Sequence, residues 1–317
     1  MQKLRLEKEE WNKKLEDWNI ISEHIFEDIN DLVQYLKTVK TNDNVFDHES
    51  SESLGLDDGW HDFESYPEAL EGLELGTDKY FNEFKQNIKK VKDYLSSQEI
   101  QKLAGYKNDV VGFSPIVPNT IIGNPINMIN SNKKEKPIPT AKIMIEKANS
   151  CGVHSEDMIS FYAIITALID ILEQKGIRCE VWMSDSFLES PEVYVYKLKL
   201  KDFNQPINMY KIQFPIIATD MFRRIGFKLL ETNQELKDRD WNFGYGSPLI
   251  GKRNGFSLKS NGEIEEGIKN LLQVDDNDIF IPNCAYFDYH KDDDIGQAIR
   301  EIIKGTNFNK YINLKED

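Results

Sequence analysis

The chain has 317 residues, 40% of them hydrophobic, and a formal net charge of −15. That apolar content can build the core of one large domain or two ordinary ones, which excludes wholesale disorder. The acidic balance disfavours general nucleic-acid binding, because the chain as a whole repels the phosphate backbone. An acidic surface fits solubility, a basic protein partner, or mimicry of nucleic acid.

The first eleven residues are charged and lack the apolar core of a secretory signal. No run of about 18 apolar residues occurs, so we expect no membrane span. Three widely spaced cysteines, Cys151, Cys179 and Cys284, are typical of a reduced intracellular chain. No CxxC pair or HExxH motif occurs, so the sequence contains no standard zinc site.

Residues 1–107 are predicted to form a mostly helical N-terminal region. From Leu15 to Leu36, apolar residues recur at helical spacing, which predicts one or two amphipathic helices. The rest of the region contains an acidic, turn-rich loop at 41–59, a helix with Ser65 as N-cap and Gly76 as stop, and a helix from about Lys79 to Leu103.

Residues 108–317 are predicted to form an α/β domain. Short apolar runs at 141–147, 178–183 and 278–283 predict neighbouring strands of a mostly parallel sheet. Between the first two, the run 155–175 is apolar nearly all round and predicts a buried helix with Ser155 as N-cap. The alternating run "EVYVYKLKLK" predicts an antiparallel edge strand. Strand–helix alternation indicates a three-layer α/β fold.

The unit "AKIMIEKANSCGV…ISFYAIITALIDILEQKGIRCEVWM" resembles the opening of a von Willebrand factor A type domain. The resemblance implies a von Willebrand A-like (Rossmann-like) sheet for 108–317. The longer pattern resembles a family of uncharacterised bacteriophage proteins, over roughly 59–231. Its other carriers are "GWHDFESYPEAL", "VVGFSPIVPNTIIGNPINM" and "MFRRIGFKLLE". This second resemblance implies a phage protein of the host cytoplasm or the virion, and little chemistry.

The A-type resemblance also implies a metal-binding turn, since that family binds a divalent cation through Asp-x-Ser-x-Ser. The matching positions here are Glu146, Ala148 and Ser150, of which only Ser150 is unchanged. Glu is longer than Asp, and Ala148 offers no oxygen, so Asn149 or Asp185 would have to complete an Mg²⁺ site. We therefore expect no cofactor. A metal-free turn that joins strand and helix is favoured over an Mg²⁺ site at Glu146, Ser150 and Asp185.

Two other groups are candidates for function. Cys151 lies just before a predicted helix N-terminus, with His154 three residues on, which are the ingredients of a Cys/His nucleophile; a buried structural cysteine is the favoured alternative. Trp241, Phe243 and Tyr245 lie among glycines and form a candidate contact loop, or a surface turn that packs on the sheet.

No catalytic set is complete, so we expect a non-enzymatic phage protein that acts through contacts with a phage or host protein. The first alternative is a metal-dependent or Cys/His enzyme centred on the 146–154 turn. The second is an acidic inhibitor that mimics nucleic acid, which rests on net charge alone. The apolar flanks of Arg223 and Arg224 also predict a buried ion pair for at least one of them.

Overall fold

The structure is a computed structural model of the chain. It describes residues 2–3, 19–43, 61–96, 99–100, 107–109, 114–115, 125–126, 128–130, 139–149, 153–189, 192–236, 247–248, 252–253, 256–257, 269, 272–287, 289–291 and 293–314.

Five strands form most of the central sheet: β1 (Asn19–Phe26), β2 (Thr140–Glu146), β3 (Arg178–Glu189), β4 (Glu192–Lys201) and β5 (Ile279–Ile281). Their order is β1-β4-β3-β2-β5. Neighbouring pairs are parallel except the β3–β4 hairpin, which is antiparallel. Two short strands, Gln2–Lys3 and Ser247–Pro248, pair antiparallel with β1 and β3.

The described residues contain eight α-helices: α1 (Ile29–Thr38), α2 (Tyr66–Leu75), α3 (Phe81–Ser96), α4 (Ser155–Gln174), α5 (Met209–Ile217), α6 (Phe227–Glu231), α7 (Cys284–Phe287) and α8 (Ile295–Gly305). A π-helical segment, Met221–Gly226, leads directly into α6. Short 3₁₀ segments lie at Gln234–Leu236 and Asn307–Lys310. None of the helices in the described ranges combines the length and the apolar character needed to cross a bilayer.

Small two- and three-residue strands lie outside the central sheet. Glu99–Ile100 pairs with Ile312–Asn313, and Lys252–Arg253 pairs with Phe256–Ser257. Met128–Asn130 pairs with both Lys107–Asp109 and Ser114–Pro115.

The predicted fold class is confirmed: mixed α/β with a mostly parallel sheet and one antiparallel pair, consistent with a three-layer fold. The three predicted neighbours are confirmed as β3, β2 and β5, in that order. The predicted buried helix is α4, which packs against β3 and against α3, α5 and α7. It ends where Gly176 adopts φ 85°, a left-handed conformation that glycine reaches without strain.

The helical prediction for the N-terminal region is wrong at residues 19–26, which form β1. This strand runs parallel to β4 and pairs with it from Asn19 to Phe26. The predicted antiparallel orientation of β4 is confirmed, but its predicted edge position is wrong, because β1 covers its free side. The sheet therefore includes residues from both predicted regions. The boundary at 107/108 stays a prediction.

Local signals at helix ends gave mixed results. Ser65 caps α2, Pro67 lies in its first turn and Gly76 ends it with φ 92°, as predicted. The predicted cap of α4 is wrong: His154 takes the N-cap position and makes no side-chain capping bond, so Ser155 is the first helical residue. Helix α3 ends at Ser96, before the predicted end near Leu103.

Candidate functional site

The strand order places a topological switch point between β2 and β5. From β2 the chain crosses through α4 to β3 on one side, whereas β5 pairs with the other side of β2. Ligands of open α/β sheets bind beyond the carboxyl ends of strands at such a point. Here the segments that follow β2 and β5 meet: Asn283 Nδ2 donates to the Ala148 carbonyl at 2.6 Å, and Cys284 Sγ donates to Asn149 Oδ1 at 3.3 Å.

Glu146 ends β2 and is completely buried. Its carboxylate accepts four hydrogen bonds, from the backbone N–H groups of Ala148 (3.2 Å) and Ser186 (2.9 Å) and from the hydroxyls of Ser184 (2.7 Å) and Ser186 (2.9 Å). Burial raises the pKa of Glu146 to about 7, and the four donors oppose that rise because they favour the ionised form. These four donors lie in the turn after β2 and in the adjacent strand β3.

Lys147 follows Glu146 and is also completely buried. Its ammonium donates to the Ile216 carbonyl at 2.7 Å and lies 3.8 Å from the centre of the Tyr162 ring. Burial lowers the pKa of Lys147 to about 7, and the negative charge of Asp185 is the largest opposing influence. The Tyr162 hydroxyl donates in turn to the Glu146 carbonyl at 2.8 Å. The helix α4 is thereby fixed to the end of β2.

Asp185 differs from its neighbours because neither carboxylate oxygen has a hydrogen-bond partner among the described residues, although the side chain is completely buried. A Cβ built on Gly226, at the end of the π-helical segment, would lie 3.0 Å from Asp185 Oδ2, so that backbone packs against the carboxyl group. Burial, and then the charge of Glu146, raise the pKa of Asp185 well above its ordinary value, and Lys147 opposes this.

The structure brings Glu146 and Asp185 to adjacent strands, but their side chains point to opposite faces of the sheet. Glu146 pairs with Ser184, and side chains alternate along a strand, so Asp185 faces the other way. Ser150, the third candidate ligand, lies outside the described residues. Within the described ranges, no group of three or more His, Cys, Asp or Glu side chains could hold a metal ion. The metal set stays a prediction.

The other sequence candidates are separated from this cluster. Cys151, Trp241, Phe243 and Tyr245 lie outside the described residues, so the nucleophile and the contact loop stay predictions. His154 is exposed at the start of α4. Cys284, which sequence reasoning did not select, reaches the cluster instead. Burial raises the pKa of its thiol to about 12, which keeps it protonated and unreactive at neutral pH.

A second buried network joins two segments that lie far apart in the sequence, "HDF" at 61–63 and "DMFRR" at 220–224. The Asp220 carboxylate accepts from the N–H groups of Asp62 (2.6 Å) and Phe63 (3.1 Å) and from Arg224 Nε (2.7 Å). His61 Nδ1 lies 3.1 Å from the same carboxylate. The predicted buried ion pair is confirmed for Arg224. Sequence reasoning missed its partner, although the i, i+4 spacing from Asp220 to Arg224 was a usable signal.

The chain matches, over residues 12–310, a family described as a domain of unknown function, DUF7192. The chain belongs to the DUF7192 family. No curated protein and no solved structure matches it. The family match assigns no function, so the chemistry of this DUF7192 protein follows only from its own residues.

Proposed function

We propose that this DUF7192 protein acts by binding a partner protein, and that the turn after β2 has a structural role. The observation that carries the proposal is the inward direction of the described polar groups in that turn. Glu146, Lys147 and Asn149 are buried, and each makes hydrogen bonds within the chain. A side chain without solvent contact whose polar atoms already have partners is poorly placed to meet a substrate.

Exposed apolar side chains on the surface also support a protein-binding role. Four large hydrophobic side chains of the described residues are exposed: Leu75, Phe81, Ile126 and Tyr210. Exposed large apolar groups that lie near one another are a feature of protein-binding surfaces, whereas isolated ones are ordinary. Tyr210 of α5 packs on Gly76, the residue that follows Leu75 at the end of α2.

We propose further that the protein is a bacteriophage protein whose partner is a phage or host protein, met in the host cytoplasm or in the virion. The sequence resemblance over roughly 59–231 supports that source. We also propose that 108–317 is a degenerate von Willebrand A-like domain. The order β4-β3-β2-β5, with β4 antiparallel to β3, supports this, because it matches the 3-2-1-4 order of doubly wound sheets with the third strand reversed.

A metal-dependent or Cys/His enzyme is the second candidate, and the buried carboxylate of Asp185 favours it. A buried carboxylate without a described donor has capacity for a cation. Calorimetric titration with Mg²⁺ or Mn²⁺ tests this directly. We expect no binding at millimolar metal, because the carboxylates of Glu146 and Asp185 face opposite sides of the sheet. A stoichiometric isotherm that is lost in Ser150→Ala would make this candidate the better one.

The binding proposal is tested by capture of a partner from the producing cells, followed by reconstitution from the two purified proteins. We expect the purified partner to bind wild type, Glu146→Gln and His154→Ala with the same affinity, since neither residue belongs to the binding surface. A phenotype that is lost in Glu146→Gln at an unchanged melting temperature, with no purified partner binding wild type, would reverse the proposal in favour of the enzyme.

A further inference from the structure

The end of α2 carries an exposed apolar pair. Leu75 and Tyr210 are 55% and 49% exposed and belong to neighbouring helix ends. They flank Gly76, and Tyr210 packs directly on its backbone. A Cβ built on Gly76 would lie only 2.5 Å from Tyr210 Cδ1, so no other residue leaves room for the ring.

The contacts around this pair fix its geometry before any partner arrives. The Thr77 N–H donates to the Tyr210 carbonyl at 3.1 Å, and Lys211 Nζ donates to the Glu74 carbonyl. These bonds join the first turn of α5 to the end of α2 and fix the backbone at Tyr210, and the ring itself packs on Gly76. An aromatic side chain positioned before binding loses little conformational freedom on binding, which is the property of an interface anchor.

Acidic side chains extend from the pair along α2. The helix contains three acids, Glu68, Glu71 and Glu74, and Glu74 forms an ion pair with Lys37. Glu68, Glu71 and Leu75 are exposed at i, i+3 and i+7, and therefore share one face of the helix. The pair thus lies at the end of an acidic stripe.

We propose that Leu75, Tyr210 and the acidic face of α2 form a docking surface for a basic amphipathic segment of the partner protein. The inference deepens the proposed function and rests on it. Charge complementarity selects the occupant: lysines or arginines would face Glu68 and Glu71 while an apolar side chain covers Leu75 and Tyr210. A second copy of this chain is disfavoured because each copy carries a net charge of −15.

The probe is a synthetic, fluorescently labelled helical peptide with lysines on one face and leucines on the other, titrated against the full chain. We expect the double variant Leu75→Ser/Tyr210→Ser, which keeps the net charge, to weaken binding about tenfold or more, as the loss of two anchors implies. Ile126→Ser is the matched control, because it removes an exposed apolar side chain elsewhere. We expect it to change the affinity by less than about twofold. Leu75→Ser alone should weaken binding in the same direction without disturbing the packing of Tyr210 on Gly76.

A charge pair separates local recognition from attraction by the whole acidic chain. Glu71→Lys and Asp276→Lys change the net charge equally, and both positions are exposed. We expect Glu71→Lys to weaken peptide binding several-fold more than Asp276→Lys. Equal weakening by the two variants, or no effect of Leu75→Ser, would overturn the docking surface.

The natural partner distinguishes the two proposals. If a reconstituted partner binds wild type and Leu75→Ser/Tyr210→Ser with equal affinity, the docking surface is wrong and the proposed function stands. If neither a purified partner nor the peptide binds wild type, both fail. We expect the partner to bind wild type, to lose affinity in the double variant, and to bind less tightly as salt rises.

Discussion

Two buried aspartates lie beside the π-helical segment, and they differ in the hydrogen bonds that their carboxylates accept. Asp220 precedes the segment and accepts three N–H groups, with His61 close by. Asp185 packs against its last residue, Gly226, and has no described hydrogen-bond partner. Both side chains are completely buried. The contrast teaches that burial alone does not indicate a role: the first carboxylate joins distant parts of the chain, whereas the second is tolerated without such bonds.

We expect the largest effect from removal of the Asp220 carboxylate. Asp220→Ala leaves the Arg224 guanidinium buried without its ion-pair partner, so we expect the free energy of unfolding to fall by about 3–5 kcal/mol. Urea denaturation followed by circular dichroism measures it. Asp185→Asn is the matched control, because it removes no hydrogen bond of the described residues, and it should not lower the free energy of unfolding. A loss below about 1 kcal/mol for Asp220→Ala would mean that the network is not what holds the two motifs together.

Glu146 is a third buried carboxylate, and its pKa is raised although it accepts four hydrogen bonds. A folded pKa of about 7 against an ordinary 4.5 means that the folded state holds a proton which the unfolded state has released. The stabilisation is complete below pH 4.5 and is lost as pH rises to about 7. We expect Glu146→Gln to abolish this decline, a difference of about 3 kcal/mol across the window.

The measurement is the free energy of unfolding of wild type and Glu146→Gln at several pH values between 4 and 8. Lys147 acts in the opposite direction and at higher pH, since its lowered pKa makes the folded state gain stability from about 7 up to 10.5. Parallel profiles for wild type and Glu146→Gln below pH 7 would show that this carboxylate titrates normally in the folded protein.

Asp185 predicts a divergence with the same sign. Its folded pKa lies well above 3.8, so its contribution to stability is present at acid pH and is lost as pH rises through the folded value. Asp185→Asn mimics the protonated form and should gain stability over wild type as the pH is raised above the ordinary value of 3.8. Thermal melts of both proteins at matched pH values measure the divergence. An Asp185→Asn protein that is less stable than wild type at every pH would indicate a bonded carboxylate.

We expect the smallest change in stability from a new capping side chain at the start of α4. His154 occupies the N-cap of α4 without a side-chain capping bond. His154→Asp should stabilise the protein by about 0.5–1 kcal/mol, because its carboxylate can cap a backbone N–H of the first turn and its charge is favoured by the helix dipole. Ser65→Ala, which removes an existing cap of α2, should shift the melting temperature in the opposite direction. No gain in melting temperature for His154→Asp would show that the start of α4 is not stabilised by an added capping carboxylate.

Sequence periodicity was enough to predict β2, α4, β3, β5 and the antiparallel hairpin, because these elements are apolar where they are buried. It failed for β1. Apolar residues in 19–26 fit a helical repeat, and the strand contains Glu23 and His24, which are polar yet buried. Glu23 pairs with Lys197 of β4, so the residue that makes β1 look exposed is neutralised by a partner more than 170 positions away.

The candidate site was predictable only in part, for a geometric reason. The sequence predicted that Glu146 and Asp185 lie near the same edge of the sheet. They do lie at neighbouring positions on the adjacent strands β2 and β3. Their faces depend on the register of β2 against β3, and a shift of one residue reverses every side chain. The register is set by packing across the whole sheet. The bond from Asn283 to Ala148 likewise joins segments that only the sheet brings together.

The pairs of neighbouring strands in the central sheet differ in how far apart they lie in the sequence, and this affects how the chain folds. The hairpin β3–β4 joins residues close in sequence, and its formation needs only a short loop closure. By contrast, β1 pairs with a strand that begins at Glu192, and β2 finds its second neighbour only at Ile279. Long-range parallel pairing is slow. During synthesis, β2 therefore leaves the ribosome with one edge uncovered until β5 follows, and this interval is when the nascent chain is most exposed to misassociation.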